Sequence, residues 1–130
     1  MEFDSFKYET PDAKLLQIPK KTKLMIITFE KSTNSIVNGY LKNKTPNYLQ
    51  ENNSIFIADI HNVPSFLTFI FVLPTLRKYK HSIYLHNDEE FENSIPNKEG
   101  NITLLRFKNE KIIDISFVST KQELELEIQI

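Results

Sequence analysis

Apolar side chains gather in short unbroken runs along this chain, and the runs alternate with polar stretches that carry helix and turn signals. Residues 23–29, KLMIITF, form a continuous branched run, the pattern of a strand covered on both faces. STNSIVNGYLKN follows, with Ser32, Thr33 and Asn34 as candidate helix N-caps and with Ile36, Val37, Tyr40 and Leu41 gathered on one helical face. Gly39 weakens that helix by about 1 kcal/mol relative to alanine. SIFIADI, residues 54–60, repeats the buried-strand pattern, and Pro64 suits the first position of a second helix. That helix, PSFLTFIFVL, is apolar nearly all round, so both of its sides are expected to be covered. Pro74 removes a backbone donor and is expected to kink or end it, with TLRKYK as a further turn or loop.

HSIYLHND, residues 81–88, reads as a third strand, and residues 88–101 as a polar connection punctuated by Pro96 and Gly100. ITLLRF and KIIDISFV flank KNE as a hairpin. The tail carries two signals: Ser119 with Gln122, or Thr120 with Glu123, forms a capping box, whereas Leu124, Leu126, Ile128 and Ile130 alternate at the strand period. The cap is the more specific start signal, so a helix is expected. Residues 1–22 have few apolar positions before Leu15 and read as an irregular lead-in, leaving 23–130 as one α/β domain. Strands alternating with helices and ending in a hairpin predict a mixed sheet with helices on both faces.

Composition narrows the chemistry. Sixteen basic and seventeen acidic side chains in 130 residues give a formal charge of −1, so no general electrostatic pull toward nucleic acid or an anionic membrane is expected. The basic stretch RKYKH, residues 77–81, reads equally as a phosphate or single-stranded nucleic-acid contact or as a solvated helix end. The run from Val63 to Leu76 is broken by Pro64, Ser65, Thr68, Pro74 and Thr75 and falls short of the ~20 residues of a spanning helix. The first fourteen residues hold Glu2 and Asp4 and no apolar core, unlike a secretory signal, so a cytoplasmic address is the expectation. With two glycines there is neither a glycine-rich phosphate loop nor a G-x-S-x-G elbow, and no cofactor is called for.

Three segments together carry a family resemblance: KLMIITF with its following helix, IADIHNVPSF, and ITLLRFKNEKIIDISFV with STKQELELEI. They resemble the central strand and active-site helix, the next strand and its exit, and the closing hairpin and helix of thioredoxins. The resemblance implies a thioredoxin-like three-layer α/β/α fold with a mixed sheet, a C-terminal hairpin and a final helix. Residues 74–97, with their candidate strand, are an insertion relative to a minimal thioredoxin and open a second reading, a small open parallel sheet of flavodoxin-like character. Where the family places Cys-x-x-Cys, this chain offers STNSIVN, putting those positions on Ser32 and Ser35 or on Asn34 and Val37. The chain has no cysteine at all. Disulfide exchange needs a thiolate attacking sulfur, and serine has no accessible alkoxide at neutral pH, so thiol-disulfide oxidoreductase chemistry is excluded for these residues. Where family members carry a cis-proline before TLLRF this chain has Ile102, and a non-proline cis bond costs about 3 kcal/mol, so a trans peptide is expected there.

Two sets of residues remain as candidate sites. Asp59 with His61 and His86 with Asp88 stand at the exits of two predicted strands, where open α/β sheets place ligands. If those strands are parallel neighbours, two imidazoles and two carboxylates form an N/O metal set, and a metal-assisted hydrolase is the alternative function. Ser32, Ser35, Phe66, Phe69, Val72 and Leu73 are the candidate binding residues, because a helix apolar all round leaves a face for a partner to cover. The leading expectation is a redox-inactive protein that acts by binding a protein partner or by forming a homodimer.

Overall fold

A computed structural model of the chain describes residues 3, 6–64 and 72–128. The strands are β1 (Tyr8–Glu9), β2 (Leu15–Leu16), β3 (Leu24–Thr28), β4 (Ser54–Asp59), β5 (Tyr84–His86), β6 (Ile102–Lys108) and β7 (Lys111–Val118). The helices are α1 (Lys31–Leu41), α2 (Tyr48–Glu51), α3 (Leu73–Leu76), α4 (Glu89–Ser94) and α5 (Lys121–Ile128). The seven strands among the described residues form one mixed sheet in the order β2-β1-β5-β4-β3-β6-β7. β3, β4 and β5 run parallel, with Ile26 opposite Phe56 and Asp59 opposite His86, while the β6–β7 hairpin joins β3 antiparallel.

Every residue of β3 and β4 is buried, as their unbroken apolar runs require. The strand alternation divides them between two cores. Leu24, Ile26, Phe56, Ala58, Ile102 and Leu104 face Val37, Tyr40 and Leu41 of α1 and Leu124 and Ile128 of α5. Met25, Ile27, Ile55, Ile57 and Leu105 face the N-terminal segment, through Phe3 and Tyr8, and Phe91 of α4. Each such side chain stabilises the fold by about 1.5–3 kcal/mol on full burial, so two continuous layers hold the sheet from either side.

Several expectations change at the edges of elements. The lead-in 1–22 is not irregular throughout: β1 and β2 pair with each other and β1 with β5, anchored by buried Phe3 and Tyr8, whose hydroxyl donates to the Phe3 carbonyl at 2.9 Å. None of Ser32, Thr33 and Asn34 caps α1, which starts one residue before Ser32 with Glu30 as N-cap. Pro74 lies in the first turn of α3, where its missing N–H has no helical partner to lose. Residues 89–94, read as connection, are helical: Asp88 caps α4 by accepting from the Glu90 N–H at 2.9 Å, and Glu89, Glu90 and Glu92 crowd its positive end.

The hairpin turn is Asn109–Glu110, both at positive φ (53° and 66°), which matches the strand twist even without glycine. The tail is the expected helix: Thr120 Oγ1 accepts the Glu123 N–H at 3.1 Å while Glu123 Oε1 accepts the Ser119 N–H at 3.1 Å. These bonds, led by that from the Ser119 backbone, hold the Glu123 carboxyl below its usual range. Most of the apolar run after Pro64, including Phe66 and Phe69, lies outside the described residues. Val72 and Leu73 are half-buried and pack on the rim of the α1-side core. No helix among the described residues is long and apolar enough to cross a membrane.

Candidate functional site

Two strand exits lie side by side at one end of the sheet. At the β3 exit, polar groups are consumed internally. Thr28 Oγ1 donates to Asn34 Oδ1, Thr33 Oγ1 donates to the Glu30 carbonyl at 3.0 Å, and Ser35 Oγ donates to the Lys31 carbonyl at 3.1 Å. The Glu30 carboxylate crosses to the loop before β6 and accepts the Gly100 N–H at 2.6 Å. Gly100 sits at φ 73°, a conformation that a side chain would strain.

At the β4 and β5 exits the balance is different. The pairing of Asp59 with His86 in parallel register places both side chains on the α4 face of the sheet. Asp59 is buried, and its Oδ1 accepts both the His61 backbone N–H at 2.9 Å and the ring Nδ1–H at 2.8 Å. His61 Nε2 then lies 3.2 Å from Glu92 Oε2 on α4, which also accepts from Asn62 Nδ2 at 3.3 Å. The other Asp59 oxygen, Oδ2, is buried with no hydrogen-bond partner among the described residues. Burial pushes the Asp59 carboxyl above its usual range, and the bonds from His61 pull only part of that shift back.

His86 is walled by aromatic rings: Phe91 at 4.7 Å, Phe6 at 5.3 Å and Tyr8 at 5.7 Å between centroids. Its Nδ1 lies 2.8 Å from the Lys7 carbonyl, which only accepts, so Nδ1 carries the proton. In the neutral ring this leaves a lone pair on Nε2, also buried without a partner among the described residues.

Solved structures of similar fold include proteins named as thioredoxin-like and as a peroxiredoxin. An uncharacterized thioredoxin-like protein from Porphyromonas gingivalis matches with a TM-score of 0.59 at 14% identity, over 95% of this chain and 87% of that one. StoA from Bacillus subtilis matches at 0.56 and 16% identity, over 96% of both chains. Peroxiredoxin Q from Xanthomonas campestris matches at 0.63 and 7% identity, over 97% of this chain and 89% of that one. The fold is thioredoxin-like. No protein-family model matches the sequence, and no curated protein matches it.

Within this thioredoxin-like fold the β3 exit is where the resemblance places the reactive dithiol. Ser32 and Ser35 are exposed on the first turns of α1, whereas Val37 is buried and Asn34 is engaged with Thr28, so the serine pair occupies the accessible positions. There are no cis peptide bonds among the described residues, so Ile102 enters β6 through the expected trans peptide. Residues 74–97 supply β5 and α4, and with them the second exit.

Of the four predicted metal ligands, Asp59 and His61 meet directly, and His86 lies beside Asp59 on the sheet but turns Nδ1 to Lys7. Asp88 is occupied as the cap of α4. Glu92 takes its place in the group, a residue whose only sequence signal was the acidic first turn after Asp88. In the basic stretch 77–81, Arg77 pairs with Asp12 at 3.2 Å and His81 is buried with Nε2 2.8 Å from Asn38 Oδ1, while Lys78 and Lys80 are exposed.

Proposed function

We propose that the chain acts by binding protein, its first partner being a second copy of itself, without thiol-disulfide exchange. The observation that carries this reading is the outer strand β7. It closes one end of the sheet, and Ile112, Ile113 and Ile115 are 39%, 62% and 42% exposed. A bulge places Ile112 opposite Phe107 and Asp114 opposite Arg106, leaving Ile113 over. That one-residue shift turns Ile112 to the same sheet face as Ile115 and Phe117, where an unbulged strand would have turned it away. The other face of the hairpin is already used: Arg106 Nη2 pairs with Glu127 of α5 at 2.9 Å.

A grouped apolar patch on an edge strand is a liability unless something covers it, and a symmetric dimer covers it with one surface. A net charge of −1 sets little repulsion between copies. The zero cysteine count removes the alternative that the fold alone would suggest. The expected interface therefore centres on β7 and leaves Ser32 and Ser35 outside it. Light scattering across a concentration series tests this. The wild-type chain is expected to dimerise and Ile113→Lys with Ile115→Lys to stay monomeric. A wild-type chain that is monomeric at millimolar concentration, or a variant that dimerises equally well, refutes it.

A further inference from the structure

We propose that the β5 edge of the sheet is a docking site for an extended peptide of another protein carrying two aromatic side chains two residues apart, a site this chain fills with its own N-terminal hairpin. The hairpin is closed from within. β1 pairs with β2, the Thr10 N–H donates to the Lys14 carbonyl at 2.8 Å, and the Lys14 N–H donates to Thr10 Oγ1 at 3.1 Å.

Its attachment to the body is of a different kind. Among the described residues β1 meets β5 through a single residue pair, Glu9 with Leu85. Three further ties are donated by side chains of the body to main-chain carbonyls of the N-terminal segment. His86 Nδ1–H reaches Lys7 at 2.8 Å, Arg77 Nε–H reaches Pro11 at 3.1 Å, and the Tyr84 hydroxyl reaches Gln17 at 3.3 Å. Every residue has a carbonyl, so these donors read a backbone and not a particular sequence, as in peptides that add to a sheet edge.

Sequence preference comes from the aromatic positions. Phe6 and Tyr8 both pack against His86 and Phe91, with ring centroids 5.1–6.2 Å apart. Beside them the fit is loose: a cavity of about 730 Å³ lies between Thr10 and Ala13 of the hairpin and Ile60, Leu73 and Asn87 of the body. Two-residue strands and loose packing place the hairpin among the parts of a fold that open locally. A peptide with the same features covers what the departing hairpin uncovers, so the exchange keeps the sheet face buried. Tethering gives the hairpin an effective concentration on the order of millimolar, so a free peptide competes well only where the hairpin is weakened.

The probe is a fluorescently labelled synthetic peptide of residues 1–18, titrated into the full chain and read by anisotropy. In the chain, Phe6→Ala removes a half-buried ring from the hairpin and Tyr8→Ala a buried one, while the β5 side of the site is untouched. Both variants are expected to bind the peptide roughly tenfold or more tighter than the wild type does, and the peptide is expected to raise their Tm. A peptide carrying both alanines is expected to bind neither. Adding Arg77→Ala to Phe6→Ala is expected to weaken peptide binding about fivefold, through loss of the donor to Pro11. Should Tyr8→Ala be unfolded alone, recovery of the native circular dichroism on adding peptide supports the site, and Phe6→Ala still supplies the affinity. Equal affinity of wild type and variants, or no binding by any of them, overturns it. β5 and β7 are well separated in the sheet, so failure here leaves the β7 interface standing.

Discussion

The β3 exit and the β4–β5 exit lie at the same end of the same sheet, yet one is hydrogen-bonded shut and the other is short of donors. Around the start of α1, Thr28 bonds to Asn34, Thr33 and Gly100 to Glu30, and Ser35 to the Lys31 carbonyl. One strand away, Asp59 Oδ2 and His86 Nε2 are buried with no partner among the described residues. The two buried histidines repeat the contrast: His81 reaches Asn38 of α1 with the nitrogen that His86 leaves unmatched. Unpaired buried polar groups are costly, so they are retained where they have a use. The difference leaves the unpaired buried polar groups at the β4–β5 exit and not at the β3 exit.

The largest effect is expected from breaking the wall of the charged exit. Phe91 is fully buried and packs edge-on against Phe6 and Tyr8 and tilted against His86 and Phe29. Phe91→Ala is expected to cost about 3–5 kcal/mol, read by urea denaturation, because the four rings packed on it leave no small side chain free to collapse into the space. A loss below about 1 kcal/mol would mean that α4 is not what holds this exit together.

The histidine contrast is sharpened by pH. Burial pushes His81 down to about 4 from its ordinary 6.5, so the folded chain binds its proton less readily than the unfolded one. His81 therefore contributes stability that is fully present above pH 6.5 and is lost as pH falls toward 4. The loss expected is on the order of 2 kcal/mol. His81→Gln keeps a donor for Asn38 and has no charge to gain, so its melting temperature is expected to vary less over that window. Parallel curves for the two proteins would contradict a buried neutral His81.

A smaller effect follows from opening the closed exit. Glu30→Ala removes the acceptor of the Gly100 N–H and is expected to cost about 1 kcal/mol, the usual net worth of one hydrogen bond. Faster hydrogen exchange at the Gly100 amide would accompany it, and an unchanged rate would show that Glu30 does not tie this loop in solution.

Much of this architecture was legible where one force dominates. Unbroken apolar runs identified β3 and β4, and the Thr120–Glu123 box decided the tail against its alternating leucines and isoleucines because two bonds form at the helix start. Short elements escaped. β1 and β2 are two residues each and are set by long-range pairing that no local pattern encodes. The α1 cap misled for a related reason: Thr33 and Asn34 spend their side chains on Glu30 and Thr28 instead of on the helix start. Strand spacing placed Asp59, His61 and His86 at two neighbouring strand exits, while Glu92, beside His61, was hidden by the unrecognised α4, and Asp88 caps that helix.

The smallest expected effect is the most discriminating, because it asks whether the closed exit lacks only sulfur. Ser32→Cys with Ser35→Cys restores the Cys-x-x-Cys spacing on exposed turns of α1. A reactive thiol there needs a low pKa, which positive charge and the helix N-terminus promote and a nearby carboxylate opposes. Glu30 supplies that carboxylate at the N-cap, and its bond to Gly100 occupies the loop across from the helix. Insulin reduction by the double-cysteine chain is therefore expected to stay at background. Activity well above background would mean that the exit stayed competent and lost only its thiols, whereas background activity that persists after adding Glu30→Ala would place the block in the rest of the loop, including Ile102 at the entry to β6.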